Sequence, residues 1–231
     1  MSSPLHGERH GRGDATSRPH LGADDGIVST AGIVVGVAAV SAEHGPLFTA
    51  GIAALTSGAV SMALGEYVSV STRRDTEAAL IAKERRELRD DPAAELVELA
   101  GLYEDKGLAP ETAAQVAKEL TAADALAAHV EVESNLDPDE LSSPWQAAAS
   151  SAIAFTLGAL LPLIAVLLPP EQWRIPVVAV AVLIALAVTG AAGAVLGGAR
   201  PLRPAIRTVL GGAIAMGATY GIGTPVGHAV G

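Results

Sequence analysis

The chain has 231 residues, of which 50% are hydrophobic and only 3% are aromatic, and its formal net charge is −10. A soluble core of this size does not require so large an apolar fraction, so the composition predicts burial in a membrane. The chain has no cysteine, which excludes disulfides and thiolate metal ligands. Any metal that it binds is therefore held by carboxylate, histidine, methionine or backbone oxygen atoms.

Five segments each contain about 20 mainly apolar residues, the length that crosses a hydrocarbon core about 30 Å thick. Polar or proline-rich breaks separate them, and proline ends helices because it lacks a backbone donor. The pattern predicts an all-α polytopic membrane protein with about five transmembrane helices. The predicted spans are residues 20–42, 46–70, 144–168, 175–199 and 205–227.

Composition divides the chain into four regions. The N-terminal region is polar and lacks the apolar core of a secretory signal peptide, so we interpret it as a flexible cytosolic tail. An acidic region between spans two and three predicts a soluble insert. The boundaries are 1–18 for the tail, 19–72 for a transmembrane hairpin, 73–143 for the acidic insert and 144–231 for spans three to five.

Basic residues predict the orientation of the spans. With five spans, Arg73, Arg74, Arg200, Arg203 and Arg207 fall on the same side as the N-terminal tail. Loops rich in arginine and lysine face the cytoplasm. We therefore expect a multi-pass protein of the cell membrane, with the N-terminus and the insert in the cytoplasm and the C-terminus on the opposite side.

The acidic insert, residues 73–143, contains 18 acidic and 8 basic residues, and the difference equals the net charge of the whole chain. Its apolar residues, such as Leu96 and Leu99, recur at helical spacing. Pro92 and Pro110 are expected in the first turns of two helices, where their missing donor costs nothing. The pattern predicts three helices that form a small cytosolic lobe.

Two glutamate pairs in the insert, Glu84 with Glu87 and Glu95 with Glu98, share a spacing of three residues. This spacing places each pair on one face of a helix, where like charges repel unless a cation neutralises them. A solvated acidic face has the same pattern, so spacing alone leaves both interpretations open.

His129 and Glu133 form a third pair, four residues apart, near the end of the insert. Residues at this spacing are neighbours on a helix and can chelate one ion. A single pair of this kind is more often a surface contact. The spacing of this pair is therefore consistent with a metal-binding pair and with a surface contact.

Carboxylates also occur in the predicted hairpin. Asp24 and Asp25 lie at the start of the first span, and Glu66 follows Met62 by one helical turn in the second. A carboxylate in hydrocarbon is costly, so it generally faces a bundle interior or a water-filled path, and a methionine beside it favours transition metals. Alternatively, Asp25 caps the first helix and Glu66 reaches the interface.

The chain resembles the vacuolar iron transporter family, and in particular its bacterial branch. The resemblance extends from about residue 19 to the C-terminus. The motifs that carry it are DDGIVS at 24–29, SGAVSMALGEYVS at 57–69, RRDTE at 73–77, ERREL at 84–88, DALAAH at 124–129 and SPWQA at 143–147.

The resemblance implies a homodimer of five-span subunits with a pore at the subunit interface. Such a protein exports Fe²⁺ or Mn²⁺ from the cytosol in exchange for protons, with Zn²⁺ or Co²⁺ as further possible cargo, and it needs no prosthetic group. His129 occupies a position where eukaryotic members have methionine. The metal-binding residues that the resemblance implies are Asp25 and Met62 in the pore and Glu84, Glu87, Glu95, Glu98, His129 and Glu133 in the lobe.

The sequence departs from the family pattern at Ala54. Eukaryotic members have a second pore carboxylate at this position, about two turns before the methionine. Glu66, one turn after Met62, is a candidate for the missing carboxylate. We therefore include Glu66 among the candidate metal ligands.

The leading hypothesis is a secondary transporter whose partners are divalent metal ions, protons, the bilayer and a second subunit. The alternative is a metal-sensing membrane scaffold that binds ions in its lobe without transporting them. We expect no enzymatic activity, because no intramembrane histidine–glutamate cluster or nucleophile arrangement is present. We also expect no nucleic-acid partner.

Overall fold

The computed structural model describes residues 13–41, 43–135 and 142–230. Within these ranges the regular secondary structure is entirely helical, and a short 3₁₀ helix, Glu171–Trp173, precedes α6. Most of the predicted tail lies outside the described residues. The helices are α1 (Gly13–Ala38), α2 (His44–Asp90), α3 (Pro92–Asp105), α4 (Pro110–Ser134), α5 (Pro144–Leu167), α6 (Arg174–Leu196) and α7 (Leu202–Val230).

Four helices in the described part of the chain, α2, α5, α6 and α7, are long and apolar enough to cross a membrane. Large apolar side chains remain exposed on each of them, including Leu64, Ile164, Ile184 and Ile214. Extended exposed apolar surface of this kind suits contact with lipid. The predicted all-α polytopic membrane fold is confirmed. Because α1 is not among these four helices, the count of five spans stays a prediction.

The chain forms two compact units, one comprising Met1–Glu66 with Trp145–Gly231 and the other Tyr67–Pro144. The core of the first unit consists of aliphatic side chains from α1, α6 and neighbouring helices. Val34, Leu47, Val178 and Val182 are fully inaccessible to solvent there. These apolar side chains interlock along the helices and fix the position of α1 against α6.

Glycines allow α1 and α5 to approach each other closely. A Cβ atom added to Gly26 of α1 would lie 2.2 Å from the carbonyl oxygen of Phe155, and one added to Gly158 of α5 would lie 2.2 Å from that of Ala23. The same constraint applies to α2, where a Cβ on Gly58 would overlap the ring of Phe155. Small residues at such crossings bring helices together in membranes.

The second unit contains the end of α2, all of α3 and all of α4. Pro92 lies in the first turn of α3, as predicted, and the carboxylate of Asp91 caps this helix by accepting a 3.0 Å hydrogen bond from the Ala94 amide. Leu99 and Ala117 are fully buried between α3 and α4. This core is small, so the few groups buried beside it weigh heavily in the stability of the unit.

Two expectations about helix ends differ from the structure. The insert does not begin with a separate helix, because α2 continues without a break to Asp90. The end of the second span near residue 70 stays a prediction. The interpretation of Asp25 as an N-terminal cap is wrong, because α1 begins at Gly13 and Asp25 lies well inside it. The carboxylate of Asp25 therefore does not serve the free amides at a helix start.

We expect Gly26→Ala to lower the thermal stability of the detergent-solubilised protein, by about 1–3 kcal/mol, because the new methyl group overlaps the α5 backbone. Gly217→Ala is the matched control, since a Cβ there meets no neighbouring atom within 4 Å. Melting is followed by the fraction of protein that stays monodisperse. Equal melting temperatures for the two variants would contradict the close packing of α1 on α5.

Candidate metal centre

The candidate metal centre lies in the second unit, where three helices each contribute an acidic or imidazole side chain. Glu84 comes from α2, Glu95 from α3, and His129 with Glu133 from α4. This brings together four of the residues that the sequence singled out as candidate ligands.

An interruption in α4 sets the direction of its two contributing residues. Asp124 has non-helical backbone angles, and its carboxylate accepts a 3.0 Å hydrogen bond from the Ala127 amide. Asp124 thus acts as the N-cap of a separate second half of α4. His129 and Glu133 lie one turn apart on this half, which ends at Asn135 in a left-handed conformation.

The imidazole of His129 is surrounded by carboxylate oxygens. Its Nδ1 atom lies 3.1 Å from Glu84 Oε1, 3.6 Å from Glu95 Oε2 and 3.4 Å from Glu133 Oε1. Two ligands bonded at about 2.1 Å to one tetrahedral or octahedral metal ion lie about 3.0–3.5 Å apart. The spacing of these atoms is thus close to that of a ligand set, and the ligand atoms of Glu84, His129 and Glu133 all lie within 4.8 Å of one another.

The cluster contains more acceptors than its hydrogens can satisfy. His129 is completely buried and Glu84 is 5% exposed. Within the described part of the chain, neither His129 Nε2 nor Glu84 Oε1 has a hydrogen-bond partner, although the latter atom is close to Nδ1. One Nδ1 proton serves one carboxylate, so a cation would stabilise the remaining oxygens.

Burial raises the pKa of the Glu84 carboxyl above its ordinary value, and the charge of Glu133 adds to this effect while His129 opposes it. Burial also raises the pKa of the Glu95 carboxyl, with Glu98 as the next cause. Both shifts express the cost of holding negative charge in this cluster. A divalent cation would reverse that cost, because it favours the ionised carboxylates.

The second member of each glutamate pair, Glu87 or Glu98, does not face His129 as the first member does. Glu87 is paired with Lys83, whose Nζ lies 2.7 Å from its Oε2 in a largely exposed contact. Glu98 is exposed. Neither belongs to the group of close ligand atoms, so their assignment as ligands stays a prediction.

The three candidates in the hairpin belong to the other unit. Asp25 is exposed on α1 and accepts a 3.1 Å hydrogen bond from the hydroxyl of Ser29, one turn later. Met62 and Glu66 are half-buried and lie one turn apart on α2. A pore role for these side chains stays a prediction.

Sequence reasoning missed two polar contacts between helices of the first unit. The hydroxyl of Thr189 on α6 donates a hydrogen bond to the carboxylate of Asp24. The Arg174 side chain, 3% exposed, places Nη2 at 2.8 Å from Nε2 of His44. Arg174 is a lone basic residue at the start of an apolar span, and that isolation is the one signal that points to such a contact.

These features define a class: a polytopic helical membrane protein with a carboxylate–histidine cluster suited to a divalent transition metal. The chain belongs to the VIT family, whose sequence profile matches residues 20–224. The resemblance to this family inferred from the motifs is thereby confirmed, and the assignment to a bacterial branch stays a prediction.

Several relatives are similar over most of the chain. A vacuolar iron transporter of Acanthamoeba castellanii is 42% identical over 204 residues, which cover 88% of this chain and 75% of that protein. Vacuolar iron transporter homolog 5 of Oryza sativa subsp. japonica is 37% identical, with coverages of 87% and 76%. Vacuolar iron transporter homolog 2.1 of Arabidopsis thaliana is 34% identical, with coverages of 90% and 80%.

Without metal, we expect the second unit to lose stability as the pH rises from about 4.5 through the raised pKa values of Glu84 and Glu95. An acid whose pKa is higher in the folded state stabilises the fold below its unfolded pKa, and this contribution disappears once the folded group ionises. Hydrogen exchange of α3 and α4 amides in the whole protein with chelator, corrected for intrinsic rates, measures the effect. Protection that does not fall as the pH rises above about 4.5 would contradict the raised pKa values.

Proposed function

We propose that the protein is a secondary transporter that exports Fe²⁺ or Mn²⁺ from the cytosol in exchange for protons. The observation that carries this proposal is the cluster of Glu84, Glu95, His129 and Glu133, in which the first three are buried and carboxylate oxygens lie 3.1–3.6 Å from the imidazole Nδ1 atom. Membership of the VIT family and the names of its relatives support iron as cargo.

The composition of the cluster favours transition metals over Mg²⁺ and Ca²⁺. Imidazole suits iron, zinc and related ions, whereas Mg²⁺ and Ca²⁺ prefer oxygen ligands alone. Oxygen and nitrogen ligands accept both Fe²⁺ and Mn²⁺, and Zn²⁺ or Co²⁺ fits the same set. Availability in the cell then decides which ion is carried.

In this proposal the lobe collects ions, and Asp25 and Met62 bind them in the membrane at the interface of a homodimer. The exposure of Asp25 supports such a role, because a carboxylate on an outer face of the unit is satisfied by a cation, by water or by a partner subunit. Glu66 supplies a further carboxylate one turn from Met62, in place of the one replaced by Ala54. Protonation of these groups couples release of the metal to proton entry.

The direction of transport follows from the predicted orientation. The arginines at 73, 74, 200, 203 and 207 favour a cytoplasmic position for the acidic lobe. An acidic site on that side favours capture of cytosolic cations. Export of excess metal is the function that this arrangement serves.

A metal-sensing scaffold is the second candidate. The specific observation in its favour is that the cluster of Glu84, Glu95, His129 and Glu133 is complete within the unit Tyr67–Pro144. Metal binding by that unit requires no membrane residue. Only a flux measurement separates the two candidates.

We expect His129→Ala and Glu84→Gln each to weaken Mn²⁺ binding to the full-length protein by at least about tenfold, because even partners that only orient a ligand contribute that much. Glu131→Gln is the matched control, since Glu131 is an exposed carboxylate on the same half of α4. Titration calorimetry in detergent measures the affinity. Unchanged affinity in both cluster variants would remove these residues from the metal site.

We expect proteoliposomes with an acidic lumen to accumulate Fe²⁺, kept reduced with ascorbate, and Asp25→Asn to lose most of this flux because its neutral side chain binds a cation poorly. Glu171→Gln is the control, as Glu171 is an exposed acidic residue outside the proposed path. Uptake of metal and release of lumenal protons are followed together. Metal binding without flux in the unsubstituted protein would favour the scaffold.

A further inference from the structure

The first part of α1 is held against α5 by backbone packing on one side. The Gly26 position lies against the Phe155 carbonyl, and the Ala23 carbonyl lies against Gly158. No side chain larger than hydrogen fits at either glycine without a shift of the helices. These contacts fix the distance between α1 and α5 at this level.

A hydrogen bond holds α1 on another side, against α6. The Thr189 hydroxyl donates to Asp24 and lies 3.3 Å from the carbonyl oxygen of Leu186. The same carbonyl accepts a 2.8 Å hydrogen bond from Thr208 of α7. The Asp24 carboxylate is thus bonded to α6, whereas Thr208 of α7 donates to the Leu186 carbonyl and not to Asp24.

Asp25 points away from all of these contacts. Successive residues turn by about 100° around an α-helix, so Ala23, Asp24 and Gly26 point in three directions and Asp25 in the remaining one. Asp25 is exposed, with Ser29 on the same face one turn later. Two adjacent aspartates therefore have different surroundings.

We propose that Asp24 is a positioning residue whose hydrogen bond with Thr189 sets the rotation of α1, so that Asp25 faces the ion path. This inference deepens the proposed function, because it rests on Asp25 as a metal ligand. Asp24 itself does not bind the ion, since its carboxylate is directed at α6. Asp24 affects the binding of cargo only indirectly, because it sets the rotation of α1 about its own axis.

An ionised acceptor suits this role better than a neutral one. Hydrogen bonds to a carboxylate are roughly twice as strong as those between neutral groups. Removal of the Thr189 hydroxyl therefore loosens the rotation of α1 on its α6 side, while the glycine contacts keep the distance between α1 and α5, and Asp25 is held less firmly in its position.

Thiol labelling tests the rotation without any transport. The chain has no cysteine, so Ser29→Cys provides a single reporter on the face of Asp25. We expect Thr189→Val to slow modification of this cysteine by about three- to tenfold, the range typical of residues that act on a site without touching it. Thr189→Ser keeps the hydroxyl and should keep the rate. Thr208→Val is the matched control, because it removes a threonine hydroxyl from the bundle but not from Asp24.

Transport kinetics provide the second readout. We expect Thr189→Val to raise the KM for Fe²⁺ by about three- to tenfold with little change in maximal rate, and Thr189→Ser to restore it. A merely structural loss would lower the amount of monodisperse protein and the maximal rate instead.

Two labelling results overturn the proposal: unchanged labelling in Thr189→Val, or equal slowing in Thr189→Val and Thr208→Val. If the unsubstituted protein carries no metal, the proposed function fails, while the labelling rates still decide whether Asp24 sets the rotation of α1. If labelling slows but KM stays constant, the positioning of Asp25 by Asp24 has no bearing on cargo and the proposal fails.

Discussion

The need to satisfy carboxylates that leave bulk water governs both units of this protein. An ionised carboxylate buried without a partner costs several kcal/mol or more, so each one must acquire donors, a cation or a proton. In the first unit, Asp24 receives a neutral hydroxyl from Thr189. In the second, Glu84, Glu95 and Glu133 converge on the single imidazole of His129. The two solutions differ in their balance of donors and acceptors, and only the second leaves a deficit that a divalent ion would remove.

The arrangement of the second unit explains why so few apolar contacts suffice to form it. Its core is centred on Leu99 and Ala117, and the acidic cluster lies beside that core. A metal ion bound by the cluster would cross-link three helices, whereas without metal the like charges of the same residues oppose close packing. Metal affinity and local stability are therefore two aspects of one equilibrium.

Local patterns in the sequence were sufficient to predict where α3 and α4 begin. The proline positions 92 and 110 predicted two helix starts, since the physics of a first turn is contained within a few residues. The continuity of α2 escaped prediction because the change from apolar to charged composition marks where a membrane ends, not where a helix ends. The 17 residues from Arg74 to Asp90 contain no glycine or proline. They therefore contain neither of the residues that most often end a helix.

The candidate site was predicted less completely, because spacing gives only the angle between two side chains and not the direction of either. Residues three apart differ by about 60° around a helix. Once Glu84 faces the cluster, Glu87 turns aside and reaches Lys83 instead. Packing decides which member of a pair points inwards. The contact between Asp24 and Thr189 was not predictable from the sequence, because threonines are common in apolar spans. The pair forms only when α1 and α6 pack together.

The cap at Asp124 affects how an ion leaves the cluster. The segment from residue 125 to 134 is a helix of about ten residues, shorter than the length at which an isolated helix is stable in water. It begins at its own cap and carries both His129 and Glu133, so unwinding of this one short segment withdraws two ligands together. Leu99 and Ala117 lie outside this segment. Ala128 of the same core lies within it, so such an opening would also expose part of the core. If an ion binds there as proposed, unwinding of this one segment gives it a route of release, and the kink in α4 would influence the release rate.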